Sequence, residues 1–129
     1  MKKTLLEKTA DKLVNAFINN KIIAPIPSKF TKKLGEAQKL RKLCESKVKD
    51  PIVGFKAAGT GFPVMKKLKE KEPFYAAIFK KNFLKSGQKV KINKSTFGIE
   101  LEVCYLIKQS FFSSRGPITM KNVTKYISH

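Results

Sequence analysis

A chain of 129 residues is one domain's worth, and an apolar content of 42% can build a packed core, which excludes a disordered tail. No stretch approaches the roughly 18 to 20 apolar residues of a membrane helix, and Glu7, Lys8, Asp11 and Lys12 interrupt the N-terminal apolar run that a secretory signal needs. The formal charge of +19, from 28 basic against 9 acidic residues, attracts polyanions without specificity; every basic residue except Arg41 and Arg115 is a lysine spread along the chain, as a general compositional bias toward lysine also produces.

Thr4-Leu5-Leu6-Glu7 fits a capping box, in which a hydroxyl and a carboxylate satisfy free backbone N–H groups at a helix start. Leu6, Ala10, Leu13, Val14, Phe17 and Ile18 recur at helical spacing, so a first helix is predicted to about residue 20. Residues 22–27, with Pro25 and Pro27, form a connector. Leu34, Ala37, Leu40, Cys44 and Val48 predict a second amphipathic helix over residues 31–47, stopped by Asp50-Pro51.

Residues 52–58 read as a short strand with Lys56 inside it, and residues 59–61 as a tight connection. Pro63 opens a short helix over residues 64–69, and Glu72-Pro73 separates it from a second strand over residues 74–79. Residues 80–87 are a basic turn, and residues 89–92 alternate like an edge strand whose lysines discourage further pairing.

Residues 96–108 predict a long strand. One face carries Ile99, Leu101, Val103, Tyr105 and Ile107, and the other Glu100, Glu102, Cys104 and Leu106. Gly116-Pro117 makes a turn, and Thr119 is expected to cap a last helix over residues 120–127. The pattern implies an α+β fold in which N-terminal helices precede a mixed β-sheet, with residues 1–129 as a single domain. Cys44 and Cys104 are too far apart in sequence for a short metal knuckle and read as reduced core thiols of a cytoplasmic protein.

Two places can carry chemistry. Glu100 and Glu102, two residues apart on a strand, put their carboxylates on one face about 7 Å apart, which suits a hard divalent cation that also keeps water and substrate ligands. The same spacing also describes the solvated face of an ordinary strand. Lys56 lies in an apolar run, where a partly desolvated ammonium stabilises developing negative charge, unless the strand turns it to water. The glycines at 59 and 61 match neither the dinucleotide fingerprint nor the phosphate loop. His129 is the only histidine, so a histidine triad or zinc cluster has no support. Phe74-Tyr75 is assigned to core packing, and Phe111-Phe112, beside two serines, to the surface.

These pieces together resemble a family. Gly54-Phe55-Lys56-Ala57-Ala58-Gly59-Thr60-Gly61 resembles the Gly-aromatic-Lys-x-Gly-x-Thr-Ser stretch of the 2-keto-4-pentenoate (2-oxopent-4-enoate) hydratases, within the fumarylacetoacetate hydrolase superfamily. Glu72-Pro73-Phe74-Tyr75-Ala76-Ala77-Ile78-Phe79 resembles their Glu-Pro-Phe-Tyr-Gly-x-Leu-Phe segment, and Ile99-Glu100-Leu101-Glu102 their Ile-Glu-x-Glu metal-binding strand. Ala37 and Gln38 fall in a helix where the family commonly shows those residues.

The resemblance implies the N-terminal part of a longer, β-rich hydratase-like domain whose third acidic metal ligand belongs beyond a helix equivalent to residues 120–127. It implies a lyase of aromatic catabolism that adds water to a 2-hydroxy-dienoate to give a 4-hydroxy-2-oxo acid. Mg²⁺ or Mn²⁺ would sit on Glu100 and Glu102 and bind the carboxylate and 2-oxo oxygen of the substrate. Lys56 would stabilise negative charge or relay a proton, and Thr60 and Gly61 would contact substrate. The expected partners are a small 2-oxo acid and either a second copy or a complementing C-terminal fragment; nucleic acid is expected only nonspecifically, and no membrane. The alternatives are a small basic nucleic-acid-binding protein and a structural partner without catalysis.

Overall fold

The computed structural model describes residues 2–92, 98–111 and 116–128. The chain divides into two compact units, Met1–Thr96 and Phe97–His129.

The first unit opens with α1 (Leu5–Ile18), and its start is the expected capping box. The Glu7 N–H donates to Thr4 Oγ1 (3.2 Å) while the Thr4 N–H donates to Glu7 Oε2 (2.7 Å), so two orphan donors are satisfied reciprocally. The helix gives way at Asn19, and Asn20 takes a left-handed φ of 49°. α2 (Leu34–Lys47) begins three residues later than the spacing predicts. Thr31 is occupied elsewhere: its N–H and hydroxyl both donate to the Ser28 carbonyl, closing a 3₁₀ turn at Ser28–Phe30.

That turn delivers Phe30, 2% exposed, between the two helices. Ala10 of α1 and Leu40 of α2 complete the core, with Leu6, Leu13, Ile26, Leu43 and Cys44 packed around them. The small side chain of Ala10, fully buried, leaves room for the Phe30 ring in a close-packed interior. Thr9 is buried too, and its hydroxyl donates to the Leu5 carbonyl (2.7 Å), so no polar group is stranded there. Asp11 joins α1 to α2 by accepting from Lys47 (2.8 Å) as well as from Lys3 (2.7 Å).

β1 (Ile52–Ala58) and β2 (Phe74–Phe79) form as predicted and pair antiparallel, with an irregularity between Ile52 and Gly54. The short helix between them, α3 (Phe62–Leu68), starts two residues earlier than expected, which places Pro63 in its first turn, where a missing N–H costs nothing. Phe79 is buried and its ring meets that of Phe17 on α1 at 5.6 Å.

The second unit corrects the sequence reading. Within residues 98–111 only β3 (Leu106–Ile107) is a strand, paired antiparallel with β4 (Ile127–Ser128); the rest of the predicted long strand, residues 98–105, forms no ladder, and residues 96 and 97 lie outside the described residues. Residues 89–92 form no edge strand either, and both stretches are exposed. The sheet expected to be mixed is thus two separate antiparallel pairs among the described residues. An alternating pattern makes a segment competent to pair, but the ladder needs a neighbour to supply its hydrogen bonds.

The last helix is also replaced. Asn122 Oδ1 accepts from the Thr119 N–H (2.7 Å) and Asn122 Nδ2 donates to the Pro117 carbonyl (3.1 Å), closing a turn where Thr119 was expected to cap. A 3₁₀ segment, Val123–Tyr126, follows and runs into β4. Tyr126 is buried against the Phe111 ring at 4.7 Å, and the Lys108 N–H donates to the Tyr126 carbonyl (2.9 Å).

Candidate functional site

Lys56 sits in the middle of β1, directly opposite Ala76 of β2. Alternation along β1 sets Gly54, Lys56 and Ala58 on its half-buried face and leaves Phe55 and Ala57 exposed on the other. Lys56 itself is half-buried, while Ala76 opposite it is exposed. On the exposed side Phe55 meets Tyr75 edge to face at 5.7 Å, a cross-strand aromatic contact.

β1 leads into the turn holding Thr60 and Gly61, both exposed. Gly59 fixes the course of this turn. Its φ is 68°, and an added Cβ would lie 2.9 Å from the Phe74 ring, so both backbone conformation and space require glycine. Gly61 is the N-cap of α3 through its carbonyl, which accepts from the Val64 and Met65 N–H groups at 3.0 Å. Lys56, Thr60 and Gly61 thus belong to one strand and turn of the first unit.

Glu100 and Glu102 belong to the second unit, in the exposed segment without a ladder. No strand pairing holds the backbone of residues 98–105. Both carboxylates are hard oxygen donors open to solvent, a donor set that fits one or two protein positions of a Mg²⁺ or Mn²⁺ sphere completed by water. Among the described residues, no group of three or more histidine, cysteine, aspartate or glutamate side chains could hold a metal ion. Cys104, expected in the core, is exposed for the same reason as its neighbours, whereas Cys44 is half-buried and its burial pushes the thiol above its ordinary value.

A further cluster went unread in the sequence. Arg41 Nη1 on α2 donates to both oxygens of Glu45 at 2.7 Å, and the guanidinium lies 4.3 Å over the Tyr75 ring of β2. Glu45 Oε1 in turn accepts from the Ala77 N–H at 3.2 Å, so one carboxylate links helix to sheet. Burial lowers the Arg41 guanidinium, but the hydrogen bonds and charge of Glu45 outweigh it and hold the group above its ordinary value. Beside this pair lies a groove of about 220 Å³, whose walls include Ala37, Gln38, Phe74, Tyr75 and Ala76. The i, i+4 spacing of Arg41 and Glu45 was visible in the sequence; the stacking on Tyr75 was not, because β2 supplies it. The groove offers an apolar wall and a guanidinium whose charge is already balanced.

No helix among the described residues is long and apolar enough to cross a membrane. No family model, no curated protein and no solved structure matches the chain.

Proposed function

We propose that the chain is a 2-keto-4-pentenoate hydratase-like protein, acting on a small 2-oxo acid or its dienol with Mg²⁺ or Mn²⁺. The observation that carries this reading is the placement of Lys56 on the half-buried face of β1, within a strand pair built from the two segments that resemble the family. Ala37 and Gln38, also part of the resemblance, line a groove with Phe74, Tyr75 and Ala76 of the second such segment. On the same reading, the larger architecture is that of the fumarylacetoacetate hydrolase superfamily.

Each set of residues has its own role. Glu100 and Glu102 would hold the ion by their carboxylate oxygens. The ion, when bound, supplies a Lewis acid for neighbouring carboxylate and 2-oxo oxygens. Lys56 stabilises negative charge on substrate oxygen or relays a proton, either of which a positioned ammonium can do. Thr60 and Gly61 offer a hydroxyl and backbone groups on an exposed turn.

Isothermal titration of the chain with Mn²⁺, alone and with pyruvate as the simplest 2-oxo acid, tests the metal reading. Binding that falls at least tenfold in Glu100→Gln and Glu102→Gln is expected. Absence of binding, or binding unchanged in both variants, would sink it. The role of Lys56 is read separately: Lys56→Met should weaken pyruvate binding while leaving Mn²⁺ affinity intact.

A further inference from the structure

After the buried Phe79, the chain leaves the sheet through a well-anchored base. The Lys80 N–H donates to the Pro51 carbonyl (2.8 Å), and the Lys81 N–H donates to Asp50 Oδ2 (3.0 Å). The Lys81 ammonium rests 4.3 Å from the centre of the Phe17 ring. Beyond this base, the chain turns back at residues 85–88, where the Gln88 N–H donates to the Lys85 carbonyl (3.1 Å) and Gly87 supplies a φ of 83°.

The side chains around this turn belong to two sets. Phe83, Leu84, Val90 and Ile92 are 61%, 46%, 67% and 72% exposed, four large apolar groups open to solvent within ten residues. Interleaved with them are Lys80, Lys85, Lys89 and Lys91, which form no ion pair among the described residues. No Asp or Glu occurs between Glu72 and Glu100 in the sequence, and the Asp50 carboxylate meets the base of the turn at the Lys81 N–H. General lysine bias accounts for the charge, and the lack of a strand partner leaves Val90 and Ile92 open beside it.

We propose that residues 83–92 form a docking surface for an anionic lipid bilayer, lying on its surface without crossing it. The lysines face lipid phosphates, each strengthening attachment about fivefold near an anionic leaflet. Phe83, Leu84, Val90 and Ile92 enter the boundary between headgroups and acyl chains. The composition favours lipid over nucleic acid: single-stranded nucleic acid is held on aromatic platforms, and three of these four apolar residues are aliphatic.

The chain contains no tryptophan, so Phe83→Trp introduces a single indole at an exposed position. The full chain carrying it is mixed with vesicles of phosphatidylcholine alone, vesicles containing a minor share of phosphatidylglycerol, and single-stranded DNA, at physiological ionic strength. Sedimentation with the anionic vesicles, accompanied by a blue shift of indole emission, is expected. In the chain carrying native Phe83, sedimentation should fall about tenfold or more in Leu84→Ser/Val90→Ser/Ile92→Ser and by a similar factor in Lys85→Gln/Lys89→Gln/Lys91→Gln. Because these positions are exposed, circular dichroism should show the same helix content in all variants. Three outcomes overturn the proposal: no sedimentation; sedimentation with emission unshifted and unaffected by the serine changes, which is attraction by charge alone; or tighter binding to DNA than to anionic vesicles.

Discussion

Phe30, in the turn between two amphipathic helices, and Leu101, in a segment of alternating pattern, are both large apolar side chains, yet one is 2% exposed and the other is as open as in an extended chain, at 102%. Phe30 is held by a 3₁₀ turn between two helices whose backbones satisfy their own hydrogen bonds. Leu101 lies in a segment whose N–H and C=O groups need another strand, and residues 98–105 form no ladder. Helical amphipathicity therefore carries most of what it needs to become structure, whereas strand alternation carries half. The sharpest way to break this contrast is to cut both side chains. Phe30→Ala should destabilise the first unit by about 3–5 kcal/mol, through lost burial and the cavity left behind. Leu101→Ser should stay within about 0.5 kcal/mol. Urea unfolding measures both, followed by the helical signal for Phe30→Ala and by tyrosine emission, to which Tyr105 and Tyr126 contribute, for Leu101→Ser; a cost above about 1 kcal/mol for the latter would show that residues 98–105 are packed in solution.

The same contrast explains what could be read in advance. α1 was legible because Thr4, Glu7 and the apolar spacing act within a few residues of one another. β1 and β2 were legible as elements, and Gly59 marked the turn, but their antiparallel register depends on two segments meeting across α3. The late start of α2 could not be read, since the predicted first residue, Thr31, instead gives both its donors to the Ser28 carbonyl. The last helix failed likewise, because the Asn122 side chain competes for the backbone around Thr119. Among the candidate site residues, the spacing of Glu100 and Glu102 was readable and their lack of ladder support was not. Lys56 was open between two faces until the pairing of β1 chose one.

If the first unit owes its order to local signals, removing one should register at once. Thr4→Ala deletes the hydroxyl half of the capping box and should cost about 1 kcal/mol in thermal or urea unfolding. Thr4→Ser, which keeps the oxygen, should restore nearly all of it. Equal losses in both variants would mean that Thr4 acts by packing and not by capping.

A smaller effect should appear on acidification. Hydrogen bonds from Lys3 and then Lys47 hold the Asp11 carboxyl below its ordinary value, and the Thr4 backbone N–H and hydroxyl do the same for Glu7. A depressed folded-state value favours the folded chain above the unfolded value of about 4, and that contribution disappears as pH falls through the folded value. Stability should therefore decline below about pH 4, and the decline should be shallower in Asp11→Asn. The exposure of these groups keeps the effect small and sensitive to salt. A slope unchanged in Asp11→Asn would remove the Lys3–Asp11–Lys47 bridge as a link between α1 and α2.

The smallest expected change lies at the end of α3, where local and imposed structure disagree. Lys69 follows the helix in the left-handed region, with φ 57° and ψ 32°, a conformation that crowds any Cβ and that glycine adopts freely. Its N–H donates to the Lys66 carbonyl (3.2 Å), so the conformation serves to close the helix end before the chain turns toward β2. Lys69→Gly should relieve the crowding, while the greater freedom of glycine in the unfolded chain offsets part of the gain, leaving about 0.5 kcal/mol of added stability. Lys69→Ala keeps the Cβ and should gain nothing. If glycine and alanine behave alike, side-chain crowding at residue 69 is not what the α3–β2 junction has to overcome, and the turn is set instead by the pairing of β1 with β2.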